Sequence, residues 1–122
     1  MICSALFMGL IGIALSFLPQ ELLNYLAIPY NSLLQVLIQL MSALYLAFAM
    51  LNWMAKSNLI GGIYSRPLAV GNFTHFFIGA ITLLKAGLSA QFTVLWVIAI
   101  PYVIFAFFFG HTLFTHPKAK TA

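Results

Sequence analysis

The amino-acid sequence predicts an all-α integral membrane protein, a bundle of four transmembrane helices. Of its 122 residues, 64% are hydrophobic and only 5% are charged, whereas soluble domains are about 45–50% apolar and about 25% charged. Five basic residues and one acidic residue cannot cover the surface of a soluble domain of this length. The apolar residues also fall into four runs, each close to the roughly 20 residues that cross a bilayer core.

The first run, "MICSALFMGLIGIALSFL", predicts a span over residues 2–18 that ends at Pro19. It lacks the basic start and the small-residue cleavage site of a secretory signal. Because the span is short, we expect local thinning of the bilayer or a further stretch through residues 21–28, "ELLNYLAI", to complete it. A turn follows at 29–32, and Ser32 is the expected N-cap of the second span, 33–55.

Pro67 opens the third predicted span, 67–88, because proline fits the first turn of a helix, where its missing N–H needs no partner. Gly61 and Gly62 supply the conformational freedom for a tight turn before it. The fourth span covers 92–110, with Pro101 expected to bend it, and 111–122 forms a polar C-terminal tail. The chain is therefore expected to be a single transmembrane domain.

The charged residues predict which way the protein faces. Four crossings place the N-terminus, the loop between the second and third spans and the C-terminal tail on one side. That side carries Lys56, Arg66, Lys118 and Lys120. The other side carries Lys85 and the only acidic residue, Glu21, which we expect to pair with each other. Because basic residues favour the cytoplasmic side, both termini are expected in the cytoplasm, and the net charge of +4 indicates membrane-edge anchors rather than nucleic-acid binding.

Each span carries a row of small or polar residues at helical spacing, and membrane helices pack on such rows. The rows on the first and third spans are Ala5, Gly9, Gly12, Ser16 and Gly71, His75, Gly79, Thr82, Ala86. Those on the second and fourth are Gln35, Gln39, Ser42, Tyr45, Ala49, Asn52, Lys56 and Ala99, Tyr102, Ala106, Gly110. Converging rows predict a left-handed four-helix bundle. The phenylalanine-rich fourth span is expected to face lipid or another protein.

His75 is the leading candidate for a functional side chain, because it lies about two turns inside the third span. One interpretation is a hydrogen bond to Asn52 or Tyr45 on the second span. The other is a ligand site formed by His75, Asn72 and Asn52, at which the imidazole binds a quinone or a tetrapyrrole or relays a proton. Glycines on either side of His75 would leave room for a flat ring.

Two further sets of polar residues are candidates for binding. The amides of Gln35 and Gln39 are unfavourable against hydrocarbon and must find partners or water. Arg66 and Lys56 form a candidate site for a lipid headgroup or another anion, although Arg66 could equally extend to lipid phosphate as an ordinary membrane-edge residue. The sequence contains no metal-ligand cluster, nucleophile motif or phosphate-binding loop, and it requires no cofactor.

The chain resembles the DoxX-like group of small bacterial membrane proteins. The resemblance rests on four short spans, on the glycine-bearing first helix "FMGLIGIALSFLP", and on the Arg66-Pro67 start of the third helix followed by Gly71-Asn72. It implies a location in the bacterial cytoplasmic membrane, and some relatives are linked to quinone-dependent sulfur oxidation. This chain has a single cysteine, so it lacks a redox cysteine pair.

Three functions remain open from the sequence. The leading one is a non-enzymatic accessory or scaffold subunit that works with other membrane protein subunits in the lipid bilayer. The second is a small transporter or channel built from copies of this chain, with Gln35, Gln39 and Asn52 lining a path. The third is a redox subunit that handles a quinone or pigment at His75.

Overall fold

The computed structural model describes residues 1–57, 65–89 and 93–115. These residues form five helices and no strand: α1 (Ile2–Phe17), α2 (Pro19–Tyr25), α3 (Ser32–Met54), α4 (Arg66–Ser89) and α5 (Thr93–Phe114), with a short 3-10 turn, Ala55–Ser57, after α3. The all-α prediction is confirmed for this part of the chain. Three helices are long and apolar enough to cross a membrane, or four if α1 and α2 together form one broken span.

The chain divides into two compact units, Met1–Ser57 and Asn58–Ala122. Each unit is built around one pair of packed helices, α1 with α3 in the first and α4 with α5 in the second. The predicted turn at Gly61 and Gly62 lies outside the described residues, as do the basic tail residues Lys118 and Lys120.

The first span does not continue straight through residues 21–28. The chain bends by 90° between α1 and α2, because Pro19 has no N–H for the carbonyl of Leu15 and its ring disfavours a continuing helix. The last backbone hydrogen bond of α1 is donated by the N–H of Leu18 to the carbonyl of Ala14, at 2.9 Å. As a result α1 has 16 residues and is about 24 Å long at 1.5 Å per residue.

The N-cap of α3 is Asn31 and not Ser32, so that prediction is wrong by one residue. The Asn31 side-chain oxygen accepts a hydrogen bond of 2.9 Å from the N–H of Leu33. Asn31 has extended backbone angles, as an N-cap residue should, while Ser32 is already helical.

In the first unit, the small residues of α1 face α3, as their spacing predicted. Ser42 of α3 donates a hydrogen bond of 2.8 Å from its hydroxyl to the carbonyl of Gly12. A Cβ atom at Gly12 would lie 2.8 Å from the Leu46 side chain, too close for any residue but glycine. One turn earlier, a Cβ at Gly9 would stand 3.8 Å from that of Ala49, an ordinary contact. The two helices therefore approach closely at Gly12.

In the second unit, the predicted row on α5 is confirmed and the one on α4 is confirmed in part, because Gly79 and His75 contact Tyr102 of α5 but the most buried residues of α4 lie beside that row. All four predicted residues of α5 are buried, as is Phe109. On α4 the buried residues are Ala69, Asn72, Phe76 and Ala80, while Thr82 of the predicted row is exposed. The reason is Phe76, which is fully buried and lies between α5 rings, with its centroid 4.9 Å from that of Phe105 and 5.9 Å from that of Phe109. The α4–α5 interface is therefore aromatic.

The last helix is longer than predicted. Helix α5 begins at Thr93, continues through Pro101 and ends at Phe114, four residues beyond the predicted end at 110. Its final carbonyls are held by hydroxyl groups, since Thr112 bonds to the carbonyl of Phe109 and Thr115 to that of His111. The first part of the predicted polar tail is thus helical.

Candidate functional sites

A polar pocket lies in the first unit at the bend between α1 and α2. Its volume is about 260 Å³, and its lining residues are Ser16, Phe17, Pro19, Gln20, Glu21, Gln35 and Gln39. It brings both predicted amides of α3 next to the only acidic residue of the chain. The two glutamines are four residues apart, so they project from the same face of α3. The end of α1 and the start of α2 supply the opposite wall.

Sequence reasoning identified Gln35 and Gln39 but missed Glu21 as their neighbour. Glu21 was assigned to an ion pair with Lys85, a pairing between residues of different units that stays a prediction. The position of Glu21 beside the amides depends on the 90° bend after α1. The available signal was Pro19, because a proline between two apolar stretches breaks a helix and redirects the chain beyond it.

Tyr30 fixes one wall of this pocket. Its hydroxyl donates a hydrogen bond of 2.6 Å to the side-chain oxygen of Gln35. The bond joins the turn before α3 to the first turn of that helix. Gln35 is therefore held in place from outside the pocket, while Gln39 is exposed along its wall.

Asn52 does not belong to this pocket. It is fully buried, and its side-chain nitrogen lies 3.8 Å from the sulfur of Met8 on α1. It follows Gln39 by 13 residues, about 20 Å along the helix, and Ser42 and Ala49 pack against α1 between them. The predicted polar row of α3 therefore divides into a pocket end and a core end, and Asn52 serves the core of the first unit.

His75 and Tyr102 form a polar contact between α4 and α5. The Tyr102 hydroxyl lies 3.3 Å from Nε2 of His75, and the two ring centroids are 5.6 Å apart. Tyr102 is 2% exposed and also contacts the ring of Phe76 edge-on at 5.3 Å. Sequence reasoning placed Tyr102 on the packing row of the fourth span but did not pair it with His75. The predicted bond from His75 to Asn52 or Tyr45 would join the two units and stays a prediction.

The space beside Gly79 is not free for a flat ligand on the side that faces α5. A Cβ atom at Gly79 would stand 2.6 Å from Cδ1 of Tyr102 and closer still to Cε1. The aromatic ring of Tyr102 therefore occupies the room that the glycine leaves. Asn72, proposed with His75 as a ligand residue, is fully buried and donates a hydrogen bond of 2.9 Å to the carbonyl of Leu68 one turn earlier.

An apolar groove runs along the outside of α4 and α5, with a volume of about 510 Å³. Its lining includes three small and buried residues, Ala80, Ala106 and Gly110, and the ring of Phe73 lies against Gly110. Its sides are large and mostly aromatic: Phe73, Phe77, Ile81, Leu84, Val103, Phe107 and Phe114, with His111 and Thr115 at one end. We call this feature the α4–α5 groove.

The two basic candidates are at helix ends and exposed. Lys56 lies in the turn after α3, and its ammonium group sits 3.6 Å from the ring centroid of Trp53, a cation–π contact. Arg66 is the first residue of α4 and is exposed. Both positions suit side chains at a membrane edge.

Comparison of the chain with protein-family models, with curated proteins and with solved structures finds no match in any of the three.

Proposed function

We propose that this protein is a non-enzymatic accessory subunit of a bacterial cytoplasmic membrane complex, and that it docks a transmembrane helix of another subunit in the α4–α5 groove. The groove itself carries the proposal. The bacterial setting rests on the resemblance to the DoxX-like group, and the membrane setting rests on the helices described above.

The exposed faces of the helices support a membrane location. Large apolar side chains point outward on both units, among them Leu10 (70% exposed), Leu44 (63%) and Phe107 (71%). An apolar exterior of this extent is unfavourable in water but matches lipid tails or another membrane helix. The long helices α3, α4 and α5 have 23, 24 and 22 residues, which is sufficient for a bilayer core.

Packing within the first unit supports a crossing by α1 as well. Gly9 lies opposite Ala49 and Gly12 opposite Leu46, so α1 runs antiparallel to α3. At the other end of α1, Ser16 shares the polar pocket with Gln39. Helix α1 therefore lies along α3 from the last turns of α3 back to the second turn of α3. We infer that α1 crosses the bilayer, aided by local thinning, and that the N-terminus lies on the side of Lys56.

The charge distribution supports cytoplasmic termini. Lys56, Arg66, Lys118 and Lys120 share one side in the four-span arrangement, against Lys85 and Glu21 on the other. The side assigned to each of these residues would be the same if α1 did not cross, because only the N-terminus would change sides. The positive-inside rule therefore orients α3, α4 and α5 independently of α1.

The shape of the α4–α5 groove suits an apolar helix as its partner. The recess between the aromatic sides can accept side chains of a second helix, and close van der Waals packing is what drives helix association in lipid. The aromatic sides offer large contact areas to Leu, Ile or Phe side chains of the partner. The lining of the groove contains no Lys, Arg, Asp or Glu, and its polar residues, His111 and Thr115, lie at one end, so a helix with an apolar face is the matching occupant.

Two adjacent substitutions test this proposal. Val103 lines the groove and is 44% exposed, whereas Ile104 is 47% exposed and is not part of its lining. Val103→Trp fills the groove, and Ile104→Trp places the same side chain on a neighbouring surface. We expect Val103→Trp to reduce recovery of the partner subunit about tenfold after gentle solubilisation, in line with overpacking of about 1–3 kcal/mol. Ile104→Trp should leave recovery unchanged.

Quantitative mass spectrometry of the co-purified membrane chains provides the measurement. Equal recovery of every chain with both variants would exclude the groove as the docking surface. A third outcome is that the protein is recovered only with other copies of itself and that this self-association is lost in Val103→Trp. That outcome would replace the accessory-subunit proposal with self-association.

A further inference from the structure

The polar pocket at the α1–α2 bend is negatively charged. Its lining includes the carboxylate of Glu21 and no Lys, Arg or His. The other polar groups around it are the hydroxyl of Ser16 and the amides of Gln20, Gln35 and Gln39. This lining favours a ligand with positive charge.

The end of α1 adds to the negative potential. Phe17, the last residue of α1, lines the pocket. The last carbonyls of a helix point beyond its end and carry the negative end of the helix dipole. The carbonyl of Leu15 has no donor from the residue four positions on, because that residue is Pro19. The C-terminal end of α1 therefore adds negative potential at the pocket, and the N-terminal end of the short helix α2, where Glu21 lies in the first turn, offsets part of it.

The size of the pocket and the spread of its polar acceptors favour an ammonium group over a metal ion. A volume of about 260 Å³ is far larger than a bare metal ion needs, and hard metal ions require several closely placed oxygen ligands. The acceptors on different walls match the several N–H donors of a primary ammonium group.

We propose that this pocket binds a primary ammonium group, with the Glu21 carboxylate as its counter-charge and the side-chain oxygen of Gln39 as a second acceptor. The group could belong to a free amine or to an aminophospholipid headgroup, because both present the same –CH₂–NH₃⁺ end. This inference is independent of the α4–α5 groove, which lies in the other unit.

The test uses the full chain in nanodiscs of phosphatidylglycerol, which contains no amine. Equilibrium dialysis measures binding of labelled ethanolamine, with tetramethylammonium as a cation of equal charge that has no N–H donor. We expect saturable ethanolamine binding, weaker binding of tetramethylammonium, and a loss of at least about tenfold in ethanolamine affinity in Glu21→Gln, as for removal of a charged hydrogen bond.

Two double variants separate a local contact from a general charge effect. Glu21→Gln combined with Gln39→Glu returns a carboxylate to the opposite wall of the pocket and should restore binding. Glu21→Gln combined with Ser57→Asp returns the same charge to an exposed position beyond the other end of α3 and should not. Circular dichroism of each variant verifies that the helices are intact.

A second set of nanodiscs that contain phosphatidylethanolamine distinguishes the sources of the amine. Lower apparent ethanolamine affinity in these discs, together with Glu21-dependent enrichment of this lipid on purification, identifies a headgroup site. Unchanged affinity identifies a site for free amines. The proposal is overturned if neither ethanolamine nor the lipid binds in a Glu21-dependent way, or if the Ser57→Asp double variant restores binding as well as the Gln39→Glu one.

Discussion

The contact between Gly79 and Tyr102 gives the sharpest prediction for the second unit. A Cβ atom at Gly79 would stand 2.6 Å from Cδ1 of the Tyr102 ring, and that ring is 2% exposed and packed against Phe76 and His75. Gly79→Ala must therefore displace a buried ring and its hydrogen bond to His75. Gly79→Leu extends the same clash.

The expected magnitude combines three contributions. Overpacking a buried site costs about 1–3 kcal/mol, and loss of the Tyr102–His75 hydrogen bond costs about 0.5–1.5 kcal/mol. Replacing glycine by alanine inside a helix stabilises the helix by about 1 kcal/mol, which offsets part of these losses. We expect Gly79→Ala to lower the free energy of unfolding by about 2 kcal/mol.

Gly9→Ala is the matched control, because its Cβ would stand 3.8 Å from that of Ala49, an ordinary contact. The gain in helix propensity is common to both variants, so Gly9→Ala should be neutral or stabilising by up to about 1 kcal/mol. The measurement is SDS-induced unfolding in detergent followed by circular dichroism.

A double-mutant cycle with Tyr102→Ala supplies a control inside the same unit. Without the Tyr102 ring there is nothing for the new Cβ to displace, so Gly79→Ala should no longer destabilise the protein. If Gly79→Ala unfolds like Gly9→Ala, or if its effect survives in the Tyr102→Ala background, the reasoning about close packing of α4 on α5 is refuted.

The remaining predictions concern the His75–Tyr102 pair and the orientation of the chain. If the two side chains act as hydrogen-bond partners, His75→Leu and Tyr102→Phe should each lower stability by about 1 kcal/mol, and the double variant by little more than either one. Additive losses in the same unfolding assay would show that they act separately, and a visible absorbance band lost only in His75→Leu would indicate a bound pigment instead. A reporter active only in the cytoplasm should be active when fused at Ala122 and also when fused before Met1. Activity at Ala122 alone would mean that α1 does not cross the membrane. An inactive but well-expressed Ala122 fusion would mean that the protein has the opposite orientation.

The sequence by itself determined the helical class and the faces on which α1 and α5 pack. The apolar runs reveal helices of membrane-spanning length, because hydrocarbon forces every backbone polar group into internal hydrogen bonds. Gly12 and Ala106 are buried as their spacing predicted, because only small residues let two helix backbones approach closely. Helix formation and the position of small residues depend on one helix alone, so the spacing of residues along the sequence predicts them.

Only the tertiary structure decided which residues meet. The face of α4 is set by Phe76, whose burial depends on the aromatic rings of α5, and no spacing within α4 shows those rings. His75 contacts Tyr102, which lies 27 residues further along the chain. Glu21 lines the same pocket as Gln35 and Gln39 because the chain bends by 90° between α1 and α2. The sequence marked His75 and the two glutamines as polar groups that needed partners. The identity of those partners depends on helix rotation and on the direction of the chain after Pro19, which are set by packing between distant segments.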